Sequence, residues 1–226
     1  MSNVRMKGID VSAHQGTILW DKVSGVDFAI IRAGFGKNNI DTFAELNAKG
    51  CEENGIPYGF YWFSYAYTVD MARKEAQYLL NFVKGHTPLL PLYFDFEYDS
   101  TNYAKKNGIT VTTKLLCDMA TAFCEELENA GYYAGIYANN DYIVNRYGEN
   151  IFKKYDLWYA QWGVSTPNRV VHLWQFSDKG KVNGISGNVD MNYAFIDFPA
   201  LIKKHKLNGY TPFKCPLGYT DCPHAK

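Results

Sequence analysis

Asp95 and Glu97 stand two residues apart at the end of the apolar run Leu92-Tyr-Phe-Asp-Phe-Glu-Tyr98. In a β-strand successive side chains point to opposite faces, so the two carboxylates would project together while Phe94 and Phe96 pack on the other side. An acid pair held in this way can work on a glycosidic bond, one member protonating the leaving oxygen while the other faces the sugar carbon. An isolated D-x-E is more often a strand end whose acids meet solvent. The weight therefore falls on the residues that accompany it.

In β/α barrels chemistry gathers where the strands end at their C-terminal side. By that rule Asp10 closes the first strand, Asp95 and Glu97 the fourth and Asp190 the last, which puts four carboxylates at one mouth. Crowded like charges raise the pKa of at least one acid, as a general acid at neutral pH requires. Taken singly, Asp10 and Asp190 are as readily helix caps or solvated loop acids. Tyr61 with Trp62, Tyr137, Trp158, Trp162, and Trp174 with Gln175 fall at the same strand ends. Trp158 and Phe60 read better as core. Tyr61 and Tyr137 are the better site candidates, because a Tyr at a strand end can stack on a sugar and also donate a hydrogen bond.

The elements that must position these groups alternate between short β-type runs and helical patterns, the signature of βα units around a mainly parallel sheet. The β-type runs fall at 9–11, 28–32, 58–63, 92–96, 133–137, 157–161, 172–176 and about 187–190. Eight such strands make a barrel. Residues 68–83 carry Ala72, Ala76, Leu79, Leu80 and Val83 on one stripe, with Gly85 as a stop. Residues 112–130 repeat the pattern with Leu115, Leu116, Met119, Phe123 and Leu127 before Gly131. A third helix at 41–53 is weakened by Gly50. The later connections are short, so the fold class expected is α/β, a single modified TIM-like barrel of eight strands with fewer than eight helices. Residues 1–208 form that barrel, and 209–226, dense in Gly and Pro, read as a tail or the start of a linker.

Composition narrows the partners. Lys plus Arg and Asp plus Glu are 23 each, so the net charge is zero and gives no electrostatic case for nucleic acid or anionic lipid. Aromatic residues make up 16% of the chain, more than a core alone usually needs, and rings that stack on sugar faces are one use for the excess. No stretch approaches the roughly 20 apolar residues that span a bilayer, so membrane insertion is not expected. The first eight residues show no apolar signal region. The expectation is release at host lysis, or secretion with the signal removed. Of five cysteines, Cys117 and Cys124 fall seven apart on one helix, about 10 Å along its axis, and are expected to be reduced. A Cys215–Cys222 disulfide, or a zinc site from His205, Cys215, Cys222 and His224, has little support from spacing. No metal or cofactor is expected.

Gly8-Ile-Asp-Val-Ser-Ala-His-Gln-Gly16, Ala29-Ile-Ile-Arg-Ala-Gly34, Gly59-Phe-Tyr-Trp-Phe63, Asp95-Phe-Glu97, Leu157-Trp-Tyr-Ala160, Trp174-Gln-Phe-Ser177 and Gly184-Ile-Ser-Gly-Asn-Val-Asp-Met-Asn192 occur in this order. Together, over about residues 5–205, they resemble glycoside hydrolase family 25, the muramidases of the Chalaropsis lysozyme type. The resemblance implies a flattened β/α barrel that hydrolyses the β-1,4 bond between N-acetylmuramic acid and N-acetylglucosamine, with bacterial peptidoglycan strands as partner. It implies Glu97 as general acid. It implies an ionised Asp95 that either attacks the anomeric carbon or orients the substrate's acetamido group, while Asp10 and Asp190 stabilise positive charge on the sugar and tune Glu97.

Two local departures stand out. Ala13-His14 replaces the Asn or Tyr followed by Trp or His-Gln of many relatives, so His14 either lines the substrate groove or caps its loop. No wall-binding module follows residue 208, which reads as a minimal enzyme or as the catalytic part of something longer. A monomer is the working expectation. The rival readings are a non-catalytic glycan-binding or virion-associated module on the same barrel, and a glycosidase for another N-acetylhexosamine polymer such as chitin.

Overall fold

The computed structural model describes residues 5–211, so the disulfide and zinc ligands considered at Cys215, Cys222 and His224 lie outside the described residues. Nine strands form one sheet: β1 (Met6–Val11), β2 (Phe28–Phe35), β3 (Asn39–Ile40), β4 (Tyr58–Phe63), β5 (Leu92–Asp95), β6 (Ala134–Asn139), β7 (Asp156–Ala160), β8 (Leu173–Gly180) and β9 (Val189–Ala194). Pairing of β1 with both β2 and β9 closes eight of them into a barrel, and the two-residue β3 hangs antiparallel on β2. The expected eight-stranded barrel is thus present, with the helices α1 (Ala44–Glu53), α2 (Val69–Val83), α3 (Tyr98–Lys106), α4 (Thr113–Asn129), α5 (Asn140–Tyr142) and α6 (Phe198–His205). Among these described helices none is long and apolar enough to cross a membrane.

The two strong helical patterns form α2 and α4, and in each a threonine caps the first turn: Thr68 Oγ1 accepts from the Met71 N–H and Thr112 Oγ1 from the Leu115 N–H, both at 3.2 Å. Their predicted stripes face the core, fully buried except for the half-buried Leu80 and Leu115. Gly50 does not end α1. It lets Trp20 lie on the helix, since a Cβ there would come within 2.1 Å of the indole. Cys117 and Cys124 are both free thiols on α4.

Strand alternation divides the core in two. The outward set, with Phe94, Phe96 and Trp62, packs under the helices, whereas Phe28, Ile30, Tyr61, Tyr93, Tyr137, Trp158 and Leu173 fill the barrel. Trp158 is the hub of that interior, with the rings of Tyr137, Tyr93 and Tyr61 centred 4.8, 5.2 and 5.7 Å away. Trp158 and Phe60 are core residues, as their sequence context predicted.

One strand departs from expectation in a way that matters for the site. Asp190 lies near the start of the last strand rather than at its end, and β9 runs antiparallel to both β8 and β1. Reversal brings the beginning of β9 to the end of the barrel where the other strands finish, so Asp190 reaches the mouth from the opposite direction. Helices α3 and α6 were not predicted. The first is mostly polar, and the second begins at Phe198-Pro199, where Asp197 Oδ1 accepts from the Ala200 N–H at 2.8 Å.

Candidate active site

Asp10 and Asp190 face each other directly in the β1–β9 register. Asp10 is buried and forms the most heavily tied carboxylate of the mouth: its Oδ2 accepts from Gln175 Nε2 at 2.9 Å and from Asn192 Nδ2 at 2.8 Å. Both amides are themselves fixed from behind. Gln175 Oε1 accepts from the Tyr137 hydroxyl at 3.1 Å and from Trp162 Nε1 at 3.2 Å, and Asn192 Oδ1 accepts from Trp158 Nε1 at 2.8 Å. Aromatic N–H and O–H donors therefore orient two amides so that their own donors meet one carboxylate. Burial still pushes Asp10 up to about 6, against those hydrogen bonds and one from Asp190. Asp190 rises further, through burial first and then the Asp10 charge.

β5 ends at Asp95, and Glu97 stands just beyond it at the residue that starts α3, its backbone still extended at φ −125°. Alternation therefore continues through the break. Phe94 and Phe96 stack with centroids 6.2 Å apart in the outer core, and the acids turn the other way. The Glu97 N–H donates to Ser100 Oγ at 3.0 Å, which fixes its backbone. Burial, helped by the charges of Asp190 and Asp99, pushes Glu97 up to about 7. Asp95 is buried and has one oxygen, Oδ1, without a hydrogen-bond partner among the described residues. Burial together with Glu97 and Asp10 pushes its carboxyl well above the usual range, with Arg32 opposing. That direction is opposite to the ionised Asp95 which the family resemblance implies.

Tyr61 and Tyr137 line the inner wall, where burial first and the neighbouring acids second push both phenols up, so they are neutral donors. Trp162 follows β7 at the rim and is 49% exposed, an indole face open to a ligand. His14 lies exposed on the short turn after β1, with its backbone N–H donating to Ser12 Oγ at 3.2 Å. Trp174 is not brought to the mouth. It is buried in the outer core beside Phe176 and Tyr193, and its Nε1 donates to the Gln161 carbonyl at 2.8 Å. Trp174 and Gln175 are neighbours on one strand, so only one of them can face inward, and that one is Gln175.

Sequence reading missed Arg32, Asp41 and Asn192 as individual site residues. Arg32 Nε donates to Asp41 Oδ2 at 2.8 Å, and the same Asp41 carboxylate accepts from the Ala13 and Phe43 N–H groups at 3.0 and 2.9 Å. Arg32 is thereby held as the cation beside Asp95. A lone arginine in the otherwise apolar run Phe28-Ala-Ile-Ile-Arg-Ala-Gly-Phe35 was the available signal, and Asn192 was visible only inside its motif. Asp41 carried no signal.

Comparison with known proteins bears on the family and the fold. The profile described as glycosyl hydrolases family 25 matches residues 9–185. An autolytic lysozyme of Clostridium acetobutylicum is 28% identical over 193 residues, covering 83% of this chain and 55% of that protein. The modular autolysin LytC of Streptococcus pneumoniae, solved in complex with a synthetic peptidoglycan ligand, superposes with a TM-score of 0.72 at 26% identity, over 84% of this chain and 46% of the other. The CTP1L endolysin gives 0.71 at 27% identity, over 89% and 69%. The chain thus spans about half the length of the first two.

Proposed function

Because the chain belongs to the glycosyl hydrolases of family 25, we propose that it is an N-acetylmuramidase that cuts the β-1,4 bond between N-acetylmuramic acid and N-acetylglucosamine in bacterial walls. One observation carries this reading: four carboxyl groups share a single mouth, and Glu97, just beyond the end of β5, is pushed up to about 7 by burial and by Asp190. A carboxylic acid poised there can protonate a leaving oxygen at neutral pH and then act as base on the incoming water.

Asp95 fits the acetamido-orienting role better than that of nucleophile. Burial and the neighbouring acids disfavour its charged form, which weakens it as a nucleophile and leaves it to accept from the N–H of the substrate's acetamido group. In that mechanism the acetamido oxygen bonds to C1 as the C1–O4 bond breaks, and the Glu97 proton passes to O4. Water deprotonated by the Glu97 carboxylate then attacks C1, reopening the ring with net retention. Positive charge on the ring nitrogen strengthens the contact with Asp95 as the barrier is climbed, which is the condition for a contact to accelerate the step. Asp10, tied by Gln175 and Asn192, supplies the negative field beneath the sugar. Trp162, Tyr61 and Tyr137 offer the ring surfaces that hold it, with His14 at the rim.

The autolysin and endolysin relatives support a site of action at the bacterial wall. Mass spectrometry of purified peptidoglycan, digested and then reduced with borohydride, tests the reading. Reduced muramic acid at the new ends is expected; reduced glucosamine ends would mean that the opposite bond is cut, and no new ends would favour a glycan-binding module. The pH profile makes a second expectation. The donor is lost as Glu97 ionises, so kcat/KM should fall on the basic side with an apparent pKa of about 7. A rate that stays level to pH 9 would remove Glu97 from the acid role.

A further inference from the structure

Beside the acidic mouth lies an open groove of about 820 Å³ whose character is different. One wall is the face of α3 that carries Asp99, Asn102, Tyr103 and Lys106, spaced at three and four residues so that they align on one side of the helix. The other wall is the β2–β3 turn with Lys37, and Tyr65 adds a ring from the loop after β4. A second hollow of about 350 Å³ shares Lys37, Tyr65 and Tyr103 and continues it past Lys74. Among the described residues, Lys37, Lys105 and Lys106 of the groove enter no ion pair. Three free ammonium groups against one carboxylate, Asp99, leave the groove cationic directly beside a mouth built of acids.

The groove is preformed. Gly36 sits at φ +51°, where a side chain would be strained and would meet the Tyr65 ring at 3.2 Å. Its carbonyl accepts from Trp62 Nε1 at 3.2 Å, and its N–H donates to the Phe63 carbonyl at 2.9 Å. The Tyr65 N–H donates at 3.0 Å to the buried Glu75, and the Tyr65 and Tyr103 rings meet edge to face at 5.2 Å. Tyr103 nonetheless remains 42% exposed.

We infer that this groove is a subsite for the carboxylate-bearing stem peptide of the muramic acid at the scissile bond, an inference that rests on the muramidase reading. Cleavage at C1 of muramic acid places in the mouth the one sugar whose lactyl group carries a peptide, so that peptide must leave the mouth within one sugar of Glu97. α3 starts from Glu97 itself and leads along the groove. From Asp99 to Lys106 is about 10 Å at 1.5 Å per residue, matching roughly three extended peptide residues. Charge sorts the two parts of the substrate. The acids of the mouth repel free carboxylates and the lysines attract them, while the Tyr65 and Tyr103 rings give the peptide backbone a surface to lie on.

The test compares two substrates, peptidoglycan strands bearing stem peptides and the same strands stripped of peptide by an amidase. The variant Lys37→Ala/Lys105→Ala/Lys106→Ala is expected to raise KM roughly tenfold on peptide-bearing strands with kcat little changed, and to match the wild type on stripped strands. The corresponding triple Arg variant should recover most of the loss. Equal losses on both substrates would overturn the inference, since the lysines would then serve glycan or fold; unchanged KM on both would overturn it as well. Wild-type protein that cuts neither substrate brings down the muramidase reading and this inference with it.

Discussion

Glu97→Gln should lower kcat on peptidoglycan by at least 10² to 10⁴, the usual contribution of a positioned proton donor, while KM stays within about twofold. The amide keeps the shape of the carboxyl and removes only the transferable proton. Folding should survive, because the structural role at this position belongs to the backbone: the Glu97 N–H donates to Ser100 Oγ whatever the side chain. Thermal unfolding at pH 7 should show no loss, since the variant removes an acid that burial already disfavours in its charged form. Single-turnover kinetics on reduced strands, read together with unfolding curves, decide the matter. Residual turnover within tenfold of wild type would assign the donor elsewhere, with Asp190 the next group to examine.

The second large effect concerns stability. Glu75 is buried on α2, where it accepts from Ser64 Oγ at 2.5 Å and from the Tyr65 N–H at 3.0 Å, and burial pushes it up from 4.5 to about 8. Between those values the unfolded chain has released the proton that the folded chain keeps. Stability contributed by this group is complete below pH 4.5 and declines as pH rises through about 8. Asp10, Asp95, Glu97 and Asp190 are raised too, and their contributions have the same sign. His172, raised by its bond to Asp156, also loses its contribution as pH rises. The melting temperature should therefore be higher near pH 5 than near pH 8, by a margin on the order of 10 °C if the raised acids together lose a few kcal/mol. Glu75→Gln keeps a carbonyl for the Tyr65 N–H and an amide for Ser64, so it should raise the melting temperature at pH 8 and flatten part of the slope. A melting temperature that is level or rising from pH 5 to pH 8 would show that these acids do not carry raised values in the folded chain.

Much of the barrel was legible because its signals are local. The stripes of α2 and α4 follow from 3.6-residue periodicity, and β4 occupies the residues 58–63 that its aromatic run marks out. The spacing of Asp95-Phe-Glu97 puts both acids on one face, and the motifs that accompany it gave that spacing its weight. What could not be read depended on partners distant in the chain. Nothing within the stretch Val189–Ala194 says that β9 runs antiparallel; that follows from its pairing with β1, some 180 residues earlier. The polar α3 lacks an apolar stripe to reveal it, and its existence depends on the cap at Glu97 and on contacts with Tyr142 and Tyr65. Trp174 was misplaced for a different reason. Its type suits a sugar platform, but which of two adjacent residues faces inward is fixed by register, and register is set by Leu173 entering the core.

The antiparallel seam between β1 and β9 also sets when the acid network can form during folding. Asp10 belongs to the first strand, and Asp190 and Asn192 to the last, so three members of the network meet only when the two ends of the described barrel come together. Loop-closure entropy makes such distant contacts slow to form, and they gain nothing until the intervening strands are in place. A ribosome that has not yet produced β9 holds a chain with Glu97 and Asp95 but without Asn192, which ties Asp10, and Asp190, whose charge raises Glu97. The complete acid network is in this sense the last part of the described barrel to form.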